Sequence, residues 1–250
     1  MPADTMRATS TGRASATGAE THRDAPPSRY SESAFRAFDL FFQPWRARRL
    51  RTAPPVGLPR QLPADRPLVM VANHTSWWDG FLLRDVHRAL RPGAPMYTLM
   101  SATELRRRPF FRLLGAVPVH EGSPAGTLHM LRSLRRWTAV RADASIIVFP
   151  QGRIGPSARR PPGFRRGVEL VVRAVSPCHV LPVALHVEAL NHAAPTAFIV
   201  AAPVIDAATE SEGRASVPAL EAAITSRLDA LAALLNEYGE DAVHRLPEIA

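Results

Sequence analysis

Beyond Pro67 the chain alternates short apolar runs with segments of helical period, and this order restricts the fold more than any other feature of the sequence. Strand-like runs fall at 68–72, 96–100, 116–119, 145–149, 180–185 and 197–201. Helices are expected at 80–90, 109–114, 126–141, 164–175 and about 218–238. Interleaved strands and helices bury their apolar faces as a sheet covered by helices, so the expected fold class is α/β, a single domain with a mixed β-sheet flanked by helices. With 250 residues and 46% hydrophobic content, one sizeable core can form. The domain is placed at 53–240, with 241–250 as a C-terminal tail.

The N-terminal part reads differently. Residues 1–29 are rich in Ala, Ser, Thr, Arg and Pro without apolar period, and are expected to be a disordered tail. Residues 30–52 then carry Ala34, Phe35, Phe38, Phe41, Phe42 and Trp45 at helical spacing, with Arg36 and Asp39 assigned to the opposite side. Pro44 is expected to kink or end this helix. Arg46, Arg48, Arg49 and Arg51 follow, and an aromatic face with a basic flank suits an amphipathic helix lying in a membrane interface. A helix packed on the domain's own core is the competing reading.

Charge is uneven. Residues 1–205 hold 28 Arg against 13 acidic residues, and residues 206–250 hold three against nine. A basic body fits an anionic partner such as a phospholipid surface, a phosphorylated substrate or an acidic carrier protein. Nucleic acid is disfavoured, because no recognition-helix or aromatic pattern accompanies the charge. Cys178 is the only cysteine, which excludes an internal disulfide and a cysteine metal cluster, and Cys178-His179 leads into an apolar strand where core packing is expected. No His-Glu-x-x-His pattern occurs, so no metal is expected. No stretch of about 18 apolar residues exists and no signal-peptide core is present, so the expected location is cytoplasmic, peripherally associated with the inner face of the cell membrane.

Two segments carry chemistry. In Asn73-His74-Thr75-Ser76-Trp77-Trp78-Asp79 an imidazole and a carboxylate stand five residues apart at the end of an apolar strand. On a strand they would point to opposite faces, and on one helix they would lie about 140° apart, so only a strand-to-helix turn brings them together. There Asp79 would fix the tautomer of His74 and leave the other ring nitrogen to take a proton from a hydroxyl. Ser76 and Asp79 equally match a helix capping box, and the spacing alone does not choose between the two. The second segment, Phe149-Pro150-Gln151-Gly152-Arg153, turns tightly at the end of another apolar strand, the usual position of ligand-contacting loops in α/β sheets. Backbone amides with Arg153, Arg165 and Arg166 could engage an anionic group there. On the helix at 126–141, Arg132, Arg135, Arg136 and Arg141 read first as a solvated face.

With both segments in view the chain resembles the glycerolipid acyltransferases typified by 1-acylglycerol-3-phosphate O-acyltransferase. Asn73 to Asp79 is similar to the family's Asn-His-x-Ser-x-x-Asp block, and Phe149-Pro150-Gln151-Gly152 resembles Phe-Pro-Glu-Gly. Phe164-Arg165-Arg166-Gly167 resembles Phe-Lys-x-Gly, and Leu181-Pro182-Val183 the Val/Ile-Pro-Val block. The resemblance implies transfer of a fatty acyl group from an acyl-CoA or acyl carrier protein thioester to a lysophospholipid hydroxyl, with no further cofactor. His74 would be the base, Asp79 its orienter, and Ser76, Gln151, Gly152, Arg153, Arg165 and Arg166 would contact substrate. The Gly152 amide or nearby backbone groups are candidates to hold the oxyanion. Two departures touch the acceptor side: Gln151 replaces a glutamate, and Glu121 falls where the family carries an arginine associated with phosphate. A carboxylate there repels a phosphate, so a non-phosphate acceptor such as a glycosylated lipid is the alternative, and a non-catalytic lipid-binding membrane protein is the rival of another class.

Overall fold

The structure, a computed structural model, describes residues 30–207 and 213–250; the tail expected over 1–29 lies outside the described residues. In chain order the elements are α1 (Glu32–Ala47), β1 (Arg51–Thr52), β2 (Leu68–Ala72), α2 (Asp79–Leu90), β3 (Met96–Ser101) and α3 (Ala102–Arg107). After a 3-10 turn at Pro109–Arg112 come β4 (Ala116–Val119), α4 (Pro124–Val140), β5 (Ser145–Val148), α5 (Gly167–Val175) and β6 (Cys178–Glu188). The chain closes with β7 (Thr196–Ala201), β8 (Ile205–Ala207), α6 (Val217–Tyr238) and α7 (Ala242–Arg245).

The strands form one mixed sheet in the order β1-β7-β6-β2-β5-β3-β4, with β8 beside β6. β6 runs antiparallel to β7 and β8, and the other pairings are parallel. Both faces are covered, which explains why β2 is apolar at every position and β5 and β6 are largely so. Along β2, Leu68, Met70 and Ala72 join the core under α1 and α2 with Phe35, Leu82 and Val86. Val69 and Val71 point the other way, to the core built with Leu134 of α4, Val171 of α5 and Leu220, Ile224 and Leu228 of α6. Cys178 packs in this second core, and burial pushes its thiol up to about 11.

The N-terminal helix packs one face on the domain's core and leaves another exposed. Phe35 and Phe42 are buried, and Phe38 stacks on Phe42 at 4.8 Å and on Phe81 at 5.9 Å. Asp39, assigned to the outer side by spacing, instead faces α2 and takes both guanidinium nitrogens of Arg84. Leu40 and Phe41 stay exposed, at 72% and 78%. Pro44 does not end the helix, which runs on to Ala47, its last turn held by Trp45 against Trp78 at 5.5 Å and by Arg46 paired with Asp85 at 2.6 Å.

Elsewhere the differences have local causes. α5 begins at Gly167 rather than 164, because the Arg165 amide is drawn to the Pro150 carbonyl at 3.1 Å and the Glu221 carboxylate takes the Gly163 and Phe164 amides at 2.5 and 2.8 Å. α3 and β8 were not expected; α3 buries only Ala102 and Leu105, and β8 is three residues long, too little for a periodic signal. The last ten residues fold back as helical turns that bury Ala242 and Leu246.

Candidate active site

Parallel pairing brings the two chemical segments together. β2 and β5 are neighbours with Val71 opposite Val148, and both chains leave the sheet at the same edge. His74 and Gln151, each three residues further on, therefore emerge side by side. The sheet order also reverses at β2, with β5, β3 and β4 on one side and β6 and β7 on the other, and such a switch point leaves a crevice beyond the strand ends.

His74 Nδ1 lies 2.8 Å from Asp79 Oδ2. The Asp79 side chain is fully buried at the first residue of α2, and Oδ2 also accepts the Thr75 amide at 2.6 Å and the Ser76 amide at 2.9 Å. Oδ1 accepts the Ser76 hydroxyl. Donors converge on both oxygens, an arrangement that suits an acceptor-only carboxylate and leaves His74 Nδ1 as the donor of the shared hydrogen bond. Nε2 then keeps its lone pair. Ser76 Oγ accepts the Trp78 amide at 3.2 Å, and Trp78, at the N-cap of α2, has no side-chain cap of its own, so Ser76 and Asp79 brace the turn before the helix. The ring of His74 stacks on Phe149 with centroids 4.3 Å apart.

The second segment grips the backbone of the first. Gln151 is buried, and its Oε1 accepts the His74 amide at 2.6 Å, while the Gly155 amide donates to the His74 carbonyl at 2.9 Å. Both main-chain polar groups of His74 are thus fixed by the loop after β5. Gly152 adopts φ +70°, a left-handed conformation that admits glycine at no cost. Its amide donates to the Phe149 carbonyl at 3.0 Å, so it is already engaged in closing the turn. Asn73 was given no role by spacing alone. Its buried amide donates to the Leu185 carbonyl at 2.7 Å and accepts the Leu185 amide at 2.8 Å, fastening the end of β2 to β6. An amide side chain placed directly after a fully apolar strand was the available signal.

A cavity of about 660 Å³ opens beside His74. β3 pairs with β5 only from Met96 to Thr98, then follows β4 to Ser101, and the cavity occupies this fork. Leu99, Met100, Met130, Val148 and Val171 line its apolar part, while Glu104, Arg108, Glu121, Arg153 and Arg165 contribute charge. Of the positions expected to contact substrate, Gly152, Arg153 and Arg165 line the cavity with His74. Ser76 and Gln151 do not; the Ser76 hydroxyl donates to Asp79 and the Gln151 Oε1 accepts the His74 amide. Arg166 is turned outward, 90% exposed, and pairs with Glu169 at 3.2 Å. Among the described residues no three His, Cys, Asp or Glu side chains gather as a metal site.

A family model described as "Acyltransferase" matches residues 55–186. Among solved structures the chain is similar to the 1-acyl-sn-glycerophosphate (LPA) acyltransferase PlsC from Thermotoga maritima, at 19% identity, 80% coverage of this chain, 77% of that chain and a TM-score of 0.48. No curated protein matches.

Proposed function

The chain belongs to the acyltransferase family, whose model spans more than half of it, and from that premise we propose that it moves a fatty acyl group from an acyl-CoA or acyl carrier protein thioester to a hydroxyl of a lysophospholipid or related lipid. One observation carries this reading: a buried carboxylate is hydrogen-bonded to an imidazole that lines a largely apolar cavity. His74 Nε2 takes the proton of the acceptor hydroxyl as its oxygen attacks the thioester carbonyl. The imidazolium that forms lies against Asp79, which offsets its charge. Collapse of the tetrahedral oxyanion breaks the C–S bond and expels a thiolate, which recovers the proton from His74. Such base assistance is worth about 10²–10⁴ in rate. The apolar fork favours a long acyl chain, each buried methylene contributing about 0.8 kcal/mol.

The surface next to the dyad supports action at a bilayer. Leu40, Phe41, Trp45, Trp77 and Phe110 are all exposed, Trp45 and Trp77 touch at 6.2 Å, and Arg49 lies 4.5 Å over the Trp45 ring. Aromatic and basic groups in one patch suit an anionic lipid interface. No helix among the described residues is long and apolar enough to cross a membrane.

The test is product formation by the purified full chain, followed by mass spectrometry with acyl-CoA or acyl carrier protein as donor and a panel of lysolipids as acceptors. His74→Ala should lower kcat by about 10²–10⁴ with an unchanged circular dichroism spectrum. Turnover at the parental rate in that variant would remove His74 as the base.

A further inference from the structure

The charges around the cavity specify the acceptor's head group. Among the described residues four arginines line it, and three are paired with carboxylates: Arg84 with Asp39, Arg108 with Glu104 at 2.5 Å, and Arg165 loosely with Glu121 at 3.7 Å. Arg153 has no carboxylate partner among the described residues. The two lining carboxylates also differ. Glu104 is satisfied twice, by Arg107 at 2.7 Å and Arg108 at 2.5 Å. Among the described residues Glu121 has only Arg165, beyond hydrogen-bonding distance, so its acceptor capacity is uncommitted there.

These groups are neighbours. The Arg165 guanidinium lies over the Gly152 turn, 3.3 Å from where a Cβ on Gly152 would stand, and Arg153 is the next residue along. Glu121, Arg165 and Arg153 therefore flank the turn whose loop grips His74. A dianionic phosphate monoester would meet a single free guanidinium and a carboxylate whose acceptor capacity is open. A neutral glycosyl head group would leave both charges unmatched. One anion and one cation match both.

Resting on the acyltransferase reading, we infer that the acceptor is a zwitterionic lysolipid, its ammonium on Glu121 beside Arg165 and its singly charged anion on Arg153. The ammonium completes the pairing that Arg165 leaves open, and the anion completes that of Arg153. Both hydrogen-bonded pairs are charge-assisted and directional, so they orient the head group as well as attract it.

The experiment compares kcat/KM for lysophosphatidylethanolamine, lysophosphatidate and monoacylglycerol in mixed micelles, using the full chain with oleoyl-CoA and with oleoyl-acyl carrier protein. The zwitterion should be favoured over lysophosphatidate by about tenfold or more, the discrimination expected when a single charge-assisted hydrogen bond is made to one acceptor and not to the other. Glu121→Gln should lower kcat/KM for the zwitterion, raise it for lysophosphatidate, and bring the two within about threefold. Arg153→Gln should weaken both charged acceptors well below the parent and affect monoacylglycerol far less. Preference of the parent chain for lysophosphatidate or monoacylglycerol, or a ratio unmoved by Glu121→Gln, overturns the inference. If either of those acceptors is acylated in a His74-dependent way, the acyltransferase reading survives that result; if none of the three is acylated, both fall together. Glu121 and Arg153 are exposed, so their substitution leaves the core intact.

Discussion

Gln151 offers the sharpest test of how the site is built. Its buried side chain meets the His74 main chain, 2.6 Å from Oε1 to the amide nitrogen, and does not line the cavity. Gln151→Met keeps the length and removes the acceptor, leaving a partly buried N–H without a partner. That costs about 1–3 kcal/mol. For a chain of this size it corresponds to a fall in Tm of roughly 2–12 °C, measurable by calorimetry. The kinetic consequence follows from position: with one of its two main-chain anchors gone, the His74 turn can shift, and a displacement of about 1 Å in a reacting group costs on the order of 10² in rate. The loss should appear in kcat with KM nearly unchanged, because no lipid contact is removed. Gln151→Glu retains an oxygen at the same place and should keep kcat within about threefold of the parent, since the carboxylate accepts the same N–H. A Gln151→Met variant with parental kcat and raised KM would refute the reasoning and return Gln151 to the role of a substrate contact.

Asp79→Asn should lower kcat by about 10³–10⁴ without unfolding the domain, because an amide presents one acceptor oxygen where four donors converge and can turn His74 into the wrong tautomer; steady-state rates with melting curves check this. His87 is buried between the Ser145 hydroxyl at 2.9 Å and the Ala94 carbonyl at 3.0 Å, and burial first, then the charges of Arg84 and Arg91, lower its pKa to about 4. The unfolded chain binds this proton from about pH 6.5 down, so the contribution of neutral His87 is complete above that pH and is lost as pH falls towards 4. About 3 kcal/mol is at stake, and urea titrations of His87→Gln should show a flatter stability profile in that window than the parent. Leu40→Asp with Phe41→Asp should weaken sedimentation with anionic liposomes by at least tenfold while leaving Tm within about 4 °C, since both side chains are exposed; unchanged co-sedimentation would exclude this face as the lipid contact.

The sequence by itself determined the α/β class and the order of its elements, because strands buried on both faces must be apolar at every position and the helices between them carry their own period. It also limited His74 and Asp79 to one way of meeting, since only a strand-to-helix turn can join an imidazole and a carboxylate five residues apart, but it did not choose between a dyad and a capping box. Charge placement was less legible. Asp39 sits on the polar side of α1 by spacing, yet faces Arg84, a residue of another helix. Gln151 and Ser76 looked like ligand contacts because they are polar residues in chemical motifs, but their partners are the His74 amide and the Asp79 carboxylate. Glu121 is an isolated departure in the sequence and gains its meaning from Arg165 beside it in the fold. Only the tertiary structure decided these pairings. A hydrogen bond between loops 77 residues apart depends on the register of β2 against β5, and a cavity depends on where β3 parts from β5. Neither register nor parting has a period in the sequence, because both are set by how whole layers pack.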